Sequence, residues 1–174
     1  VRDMLIFARG ETRLAEELSA DTLVQALASA LEGLKLPAGV SVELSDQVNS
    51  AALMCNRDAL VGACTNLVNN SVEAGATNVE VAVVSVHEEL LVRVSYNGPG
   101  FTTEQASQLL EAFYTTKSHG TGLGLAVVQA VVKAHQGRFS IDAPAAGGAV
   151  AIISLPLMRS LSTGDRRQQP SKND

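Results

Sequence analysis

Two apolar runs stand almost end to end, "NVEVAVVSV" at 78–86 and "ELLVRVSY" at 89–96, with only His87 and Glu88 between them. Alternating apolar residues put every second side chain on one face, which is the mark of a strand. A two-residue connection makes the pair a β-hairpin, and so antiparallel. The rest of the chain shows no strict alternation of single strands and helices, so a doubly wound parallel sheet does not fit. The elements read in order as helix, strands, helix, strands, helix, helix, strands. That order predicts an α+β two-layer sandwich, a mixed sheet of about five strands covered on one face by about three helices.

The individual elements follow from periodicity and punctuation. "VRDMLIFAR" has apolar residues at positions 1, 4, 5 and 8, the spacing of a helix. Val1 stands where an initiator Met is expected, so this segment reads as the last turns of a helix in a longer protein. "SADTLVQALASALEGL" places Leu23, Leu27, Leu31 and Leu34 on one face, with Ser19 or Asp21 as its cap and Pro37 and Gly39 beyond its end. "VSVELS" alternates as a strand, and "SAALMC" is a second, shorter candidate. Asn56 caps a helix running through Ala74, and Gly75 suits the left-handed position after it. Thr102 or Thr103 starts a helix ending near Leu110, residues 111–121 form a polar loop, and "GLGLAVVQAVVKAHQG" is a helix closed by Gly137. "RFSIDA" and "GAVAIISLPL" make a last hairpin around "PAAGG". The tail from Arg159 is polar and reads as disordered.

Composition narrows the function. A chain of 174 residues suits one domain with a core of useful size. Its net charge of −5, with no run of Lys or Arg, argues against nucleic acid, whose phosphates call for clustered cations. No apolar stretch is long enough to span a bilayer and no signal peptide is visible, so no membrane contact is expected of this segment. Cys55 and Cys64 have neither metal nor redox spacing and read as free thiols in a reducing cytoplasm.

Four short stretches could carry chemistry. Asn66 and Asn70 lie one turn apart on the 56–74 helix, in "NLVNN". Each amide offers an oxygen to a hard cation and an NH2 to a phosphate or ribose oxygen; a solvated polar face would look the same. In "SYNGPGF", Gly98 and Gly100 allow a close backbone approach, or simply an ordinary turn. "TTKSHGTGLGL" runs from Thr115 through Lys117, Gly120, Thr121, Gly122, Leu123 and Gly124 to Leu125, straight into a helix. Free N–H groups and the positive helix end suit an anion such as a phosphate. It is neither a Walker motif nor a dinucleotide fingerprint, because the lysine precedes the glycines and no βαβ unit surrounds them. "PAAGGAV" at 144–150 reads as a hairpin loop.

Taken in order, these stretches resemble the boxes of the ATP-binding domain shared by sensor histidine kinases, the B subunit of DNA gyrase, the ninety-kilodalton heat-shock chaperones and the MutL repair proteins, the Bergerat fold. "NLVNNSVEAG" is similar to the asparagine box, "NGPGF" to the first glycine box, "EAFYTTK" to the phenylalanine box, "GTGLGL" to the second glycine box and "GGAVAIISLP" to the final one. The resemblance covers residues from about 20 to 157. The lid sequence looks most like that of kinases acting on NtrC-type response regulators, the flagellar sensor kinases among them. Two departures are minor, Ser71 where Ala is usual and Ala112 where Pro is common.

The resemblance implies roles. Asn70 would coordinate the Mg²⁺ that bridges the ATP phosphates, and Asn66 would contact the phosphate or ribose side. Lys117 would reach the β- and γ-phosphates, and the backbone of Gly120, Thr121, Gly122, Leu123, Gly124 and Leu125 would cradle them. Gly98 and Gly100 would let the backbone approach adenine, and 101–121 would be the mobile lid. The hydrolytic members carry a Glu at the position of Asn66, and an amide cannot act as a general base at neutral pH. That argues for transfer to another protein group, and the resemblance to histidine kinases implies a histidine on a dimerisation domain upstream of this segment. His87-Glu88 matches the usual dipeptide but lies between strands. The implied organisation is the end of a dimerisation helix at 1–12, the catalytic domain at 13–157 and a disordered tail at 158–174, within a full-length homodimer.

Tyr96 departs from this pattern. The family has an Asp there that accepts a hydrogen bond from the adenine amino group. Losing a charge-assisted bond costs roughly 1.5–3 kcal/mol, and overfilling the space about 1–3 kcal/mol more. At about 1.4 kcal/mol per decade, affinity would fall by roughly two to four powers of ten. An engineered block, a naturally degenerate kinase and a ring that swings out to stack on adenine are all compatible with the sequence. The alternatives to an ATP-dependent kinase are a nucleotide-blind interaction module and a hydrolytic ATPase of the same superfamily.

Overall fold

The structure is a computed structural model, and it describes residues 16–97, 123–142 and 147–158. In chain order the elements are β1 (Glu16–Ser19), α1 (Ala20–Glu32), β2 (Ser41–Gln47), β3 (Ala52–Cys55), α2 (Arg57–Glu73), β4 (Asn78–Val86), β5 (Glu89–Tyr96), α3 (Leu123–Ala134), β6 (Arg138–Asp142) and β7 (Ala149–Pro156). The predicted "VRDMLIFAR" helix, the helix starting at Thr102 or Thr103, the 111–121 loop and the tail from Arg159 lie outside the described residues.

Five strands form one sheet in the order β2-β4-β5-β7-β6. The β2–β4 pair is parallel and the other pairs, the central hairpin among them, are antiparallel, so the sheet is mixed. That hairpin closes with Val86 opposite Glu89, and His87 takes a left-handed φ of 54° to make the turn. Alternation then fills one face. Val79, Val81 and Val83 of β4, Leu90, Val92 and Val94 of β5, and Ile153 and Leu155 of β7 are buried in one cluster with Leu23 and Leu27 of α1, Leu60, Leu67 and Val68 of α2, and Val128, Val131 and Val132 of α3. The opposite face carries Glu43, Glu80 and Arg93, all exposed. This is the two-layer arrangement the sequence predicts.

The "SAALMC" strand does not join the main sheet. As β3 it pairs antiparallel with β1 in a two-stranded ribbon, Leu53 opposite Leu18. Sequence periodicity misses β1 because "EELS" has a single buried side chain, Leu18, to mark its face. Arg57 at the start of α2 pairs with Glu16 and fastens the ribbon to that helix.

The helix ends follow local chemistry. Of the two candidate caps for α1, Ser19 is the one used, its hydroxyl accepting from the Thr22 N–H. Asn56 caps α2 by accepting from the Ala59 N–H. Gly75, at φ 97°, ends α2 in a Schellman arrangement in which Ala76 N–H donates to Ser71 O and Gly75 N–H to Val72 O. The close of α3 differs from the expectation. The left-handed residue is Gln136, at φ 58°, and Gly137 follows it and donates to Val132 O. Gly137 is needed for a different reason: a β-carbon there would stand 2.4 Å from the carbonyl oxygen of Ser154.

Candidate nucleotide site

The end of β5 is held from three directions. Tyr96 pairs with Val79 of β4 and with Ala149 of β7. Gly148, at φ +77°, lies so close that a β-carbon would be 2.2 Å from the Tyr96 carbonyl oxygen. The next residue, Asn97, turns back onto the segment between α2 and β4. Its backbone N–H donates to Asn78 O at 3.2 Å. Its side-chain oxygen accepts from the N–H groups of Thr77 at 3.0 Å and Asn78 at 2.9 Å, and its Nδ2 donates to Thr77 Oγ1 at 2.8 Å. The last residue of β5 and the end of α2 therefore lie at the same end of the sheet.

α3 reaches that end from the other side. His135, after its last turn, is buried, and its Nε2 accepts from the backbone N–H of Asn56 at 3.0 Å. Nδ1 must then carry the proton, which it donates to Val131 O at 2.7 Å. Burial lowers the pKa of His135 from its ordinary value, against a smaller upward pull from the Val131 bond. The C-terminal end of α3 is thus bonded to the N-terminal end of α2. The two helices pack against each other, and with the end of α3 bonded to the start of α2 they run antiparallel. At about 1.5 Å per residue, Asn70 lies ~21 Å along α2 from Asn56, and Leu123 ~18 Å along α3 from His135. The N-terminus of α3 and Asn70 come to the same level, toward the end of the sheet at which β5 finishes.

Asn66 and Asn70 are both half-buried, beside the core stripe of α2 that runs through Ala63, Leu67 and Ser71. Ser71, the small departure from the asparagine box, is buried, and its hydroxyl donates to Leu67 O at 2.9 Å, so the extra oxygen is accommodated within the helix. Leu125 is partly buried against the core on α3. Leu123 and Gly124 open that helix. Gly98, Gly100, Lys117, Gly120, Thr121, Gly122 and Ala112 lie outside the described residues, as does the 101–121 lid.

Tyr96 shares the parity of Leu90, Val92 and Val94, the β5 residues that face the helices. It packs against the core cluster, with its phenolic oxygen buried. Burial pushes its pKa up to about 12, so the ring is a neutral phenol at neutral pH. Sequence reading placed Asn97 in the first glycine box and Gly148 in the final one but gave neither residue a role of its own. The glycine run around Gly148 was visible, but a hairpin loop explained it equally well.

A two-layer mixed sheet whose asparagine-bearing helix, central strand end and glycine-led helix converge at one end defines a class of ATP-binding domain. The chain belongs to the family described as histidine kinase-, DNA gyrase B-, and HSP90-like ATPase, which matches residues 55–159. Its relatives lie on the sensor-kinase branch. The sensor protein kinase FleS of Pseudomonas aeruginosa is 40% identical over 160 residues, 91% of this chain and 39% of that protein. The sensor histidine kinase TmoS of Ectopseudomonas mendocina is 33% identical over 135 residues, 71% of this chain and 14% of that protein. The chain thus spans well under half the length of these relatives. Among solved structures, the catalytic domain of the histidine kinase ThkA superposes with a TM-score of 0.70 at 22% identity, over 81% of this chain and 94% of that one. Among the described residues, no helix is long and apolar enough to cross a membrane, and no cluster of His, Cys, Asp and Glu could hold a metal ion.

Proposed function

We propose that the chain, as the catalytic ATP-binding domain of a sensor histidine kinase, presents the γ-phosphate of Mg²⁺-ATP to a histidine on a dimerisation domain. The observation that carries this reading is the convergence of α2, the end of β5 and the start of α3. Asn70 suits Mg²⁺ because its carboxamide oxygen is a hard, neutral ligand placed level with the N-terminus of α3. Mg²⁺, when bound, would neutralise phosphate charge. The start of α3 favours anions through its N–H groups and dipole, with Lys117 and the backbone of 120–125 as further phosphate donors. Asn66, one turn before Asn70, would orient the phosphate or ribose side. With an amide at Asn66 in place of a carboxylate, the site would position the phosphoryl group without activating water.

His87 is unsuited to be the acceptor. It lies in the turn beyond the far end of β5 from Tyr96, and β5 itself spans about 23 Å at about 3.3 Å per residue. The acceptor would belong to a dimerisation domain of which residues 1–12 would be the last helical turns, in a homodimer that would pass the phosphoryl group to an NtrC-type response regulator. The catalytic domain would extend over 13–157. The test is phosphotransfer to the dimerisation domain of FleS supplied as a separate chain. The Tyr96→Asp variant should label that domain's histidine and release little inorganic phosphate. Phosphate release with no labelled histidine would instead make the chain a hydrolytic ATPase.

A second reading rests on Tyr96. The adenine end does not fit the nucleotide as the phosphate end does, because the ring lies where the base-reading carboxylate is expected and faces the helices. The native chain would then bind ATP weakly and act through its contacts with the dimerisation helices or the regulator.

A further inference from the structure

We propose that Asn97 is a positioning residue that sets the spacing between the base and phosphate subsites. This inference rests on the nucleotide reading above. The base subsite lies at the end of β5, and the metal-binding amide, Asn70, lies in the last turn of α2. These two elements are not consecutive: the Schellman turn at Gly75 and the whole β4–β5 hairpin separate them in sequence. The Asn97 side chain ties the end of β5 to Thr77 and Asn78, the residues that follow α2 and begin β4. The carboxamide of Asn97 uses both its acceptor and its donor on Thr77 and Asn78, and its backbone N–H adds a fourth bond. Thr77 and Asn78 are in turn fixed to β2, since Ser41 N–H donates to Thr77 O at 2.9 Å and Ser41 Oγ to Asn78 Oδ1 at 3.2 Å. Gly148 closes the other side by contact with the Tyr96 carbonyl. Asn97 is exposed and lies outside the core cluster, so its bonds order one junction without supporting the interior.

A ligand that engages both subsites at once gains from their fixed spacing, as any divalent ligand does. Single-subsite ligands gain nothing from it. The experiment compares ATP, adenosine and inorganic triphosphate, each with Mg²⁺, on the 174-residue chain carrying Tyr96→Asp, with and without Asn97→Ala or Asn97→Asp. Binding is read by NMR titration and the melting temperature is read alongside. Asn97→Ala should weaken ATP about tenfold, equivalent to about 1.4 kcal/mol, while adenosine and triphosphate each change less than about twofold. Asn97→Asp keeps the two acceptor bonds and should recover most of the ATP affinity. A proportional loss for all three ligands, or a lower melting temperature with ATP binding unchanged, overturns the role of Asn97 and leaves the nucleotide reading standing. Absence of ATP binding by the Tyr96→Asp chain overturns both.

Discussion

A β-carbon on Gly148 would stand 2.2 Å from the Tyr96 carbonyl oxygen, in a backbone conformation of φ +77° that side chains rarely adopt. Gly148→Ala therefore has no relaxed solution. The left-handed conformation alone costs roughly 1–2 kcal/mol, and the contact adds to it, so chemical denaturation should show a loss of at least about 2 kcal/mol. Gly39, left-handed at φ +83° with open space around it, is the control and should lose only the conformational part. In the sequence Gly148 was one glycine of a hairpin loop and of the final glycine box, but its close approach is legible only once the approaching strand is known. Asn97 was hidden for the same reason, since its partners lie about twenty positions away in the chain. Tyr96 was legible as a departure because the motif around it was intact, whereas the direction of its ring came only from the structure. Asn66 and Asn70 were legible as a pair by helical spacing alone, whereas their closeness to the base end came only from the tertiary arrangement.

Helix ends were readable wherever they are local. Asn56, Ser19 and Gly75 act within a few residues of their own positions. The long hairpin was equally plain, because its period and its two-residue turn are both local. The β1–β3 ribbon was not, since four residues with one buried side chain leave no period to read. The bond from Asn56 to His135, which sets α3 against α2, joins positions 79 apart and left no sequence signal. It makes a pH prediction at the level of the helix pair. His135 is a neutral acceptor whose pKa is lowered from its usual 6.5, mainly by burial. Protonation removes that acceptor, and the unfolded chain takes up the proton first. Stability from this group is complete above about pH 6.5 and falls as pH drops from there toward the lowered value, by at most about 1.4 kcal/mol per pH unit. Urea unfolding between pH 7.5 and 5.5 should show this loss in the native chain. His135→Gln should be less stable at pH 7.5 and show a flatter profile.

At the scale of the whole molecule, the sheet order and the antiparallel α2–α3 pair bring residues from three separated segments to one end. The fold class was legible from element order, because a central hairpin among helices leaves few two-layer arrangements. The proposed phosphate end resembles the pattern of its family in sequence, and the end of β5 carries a tyrosine packed toward the helices. The central claim is that this chain has an ATP site whose base-reading position is filled by its own ring. Calorimetric titration of Mg²⁺-ATP into the native chain and into Tyr96→Asp tests it most directly. The account predicts that Tyr96→Asp binds one nucleotide per chain, roughly two to four powers of ten more tightly than the native chain. Micromolar binding by the native chain, or equally weak binding by both, would contradict it.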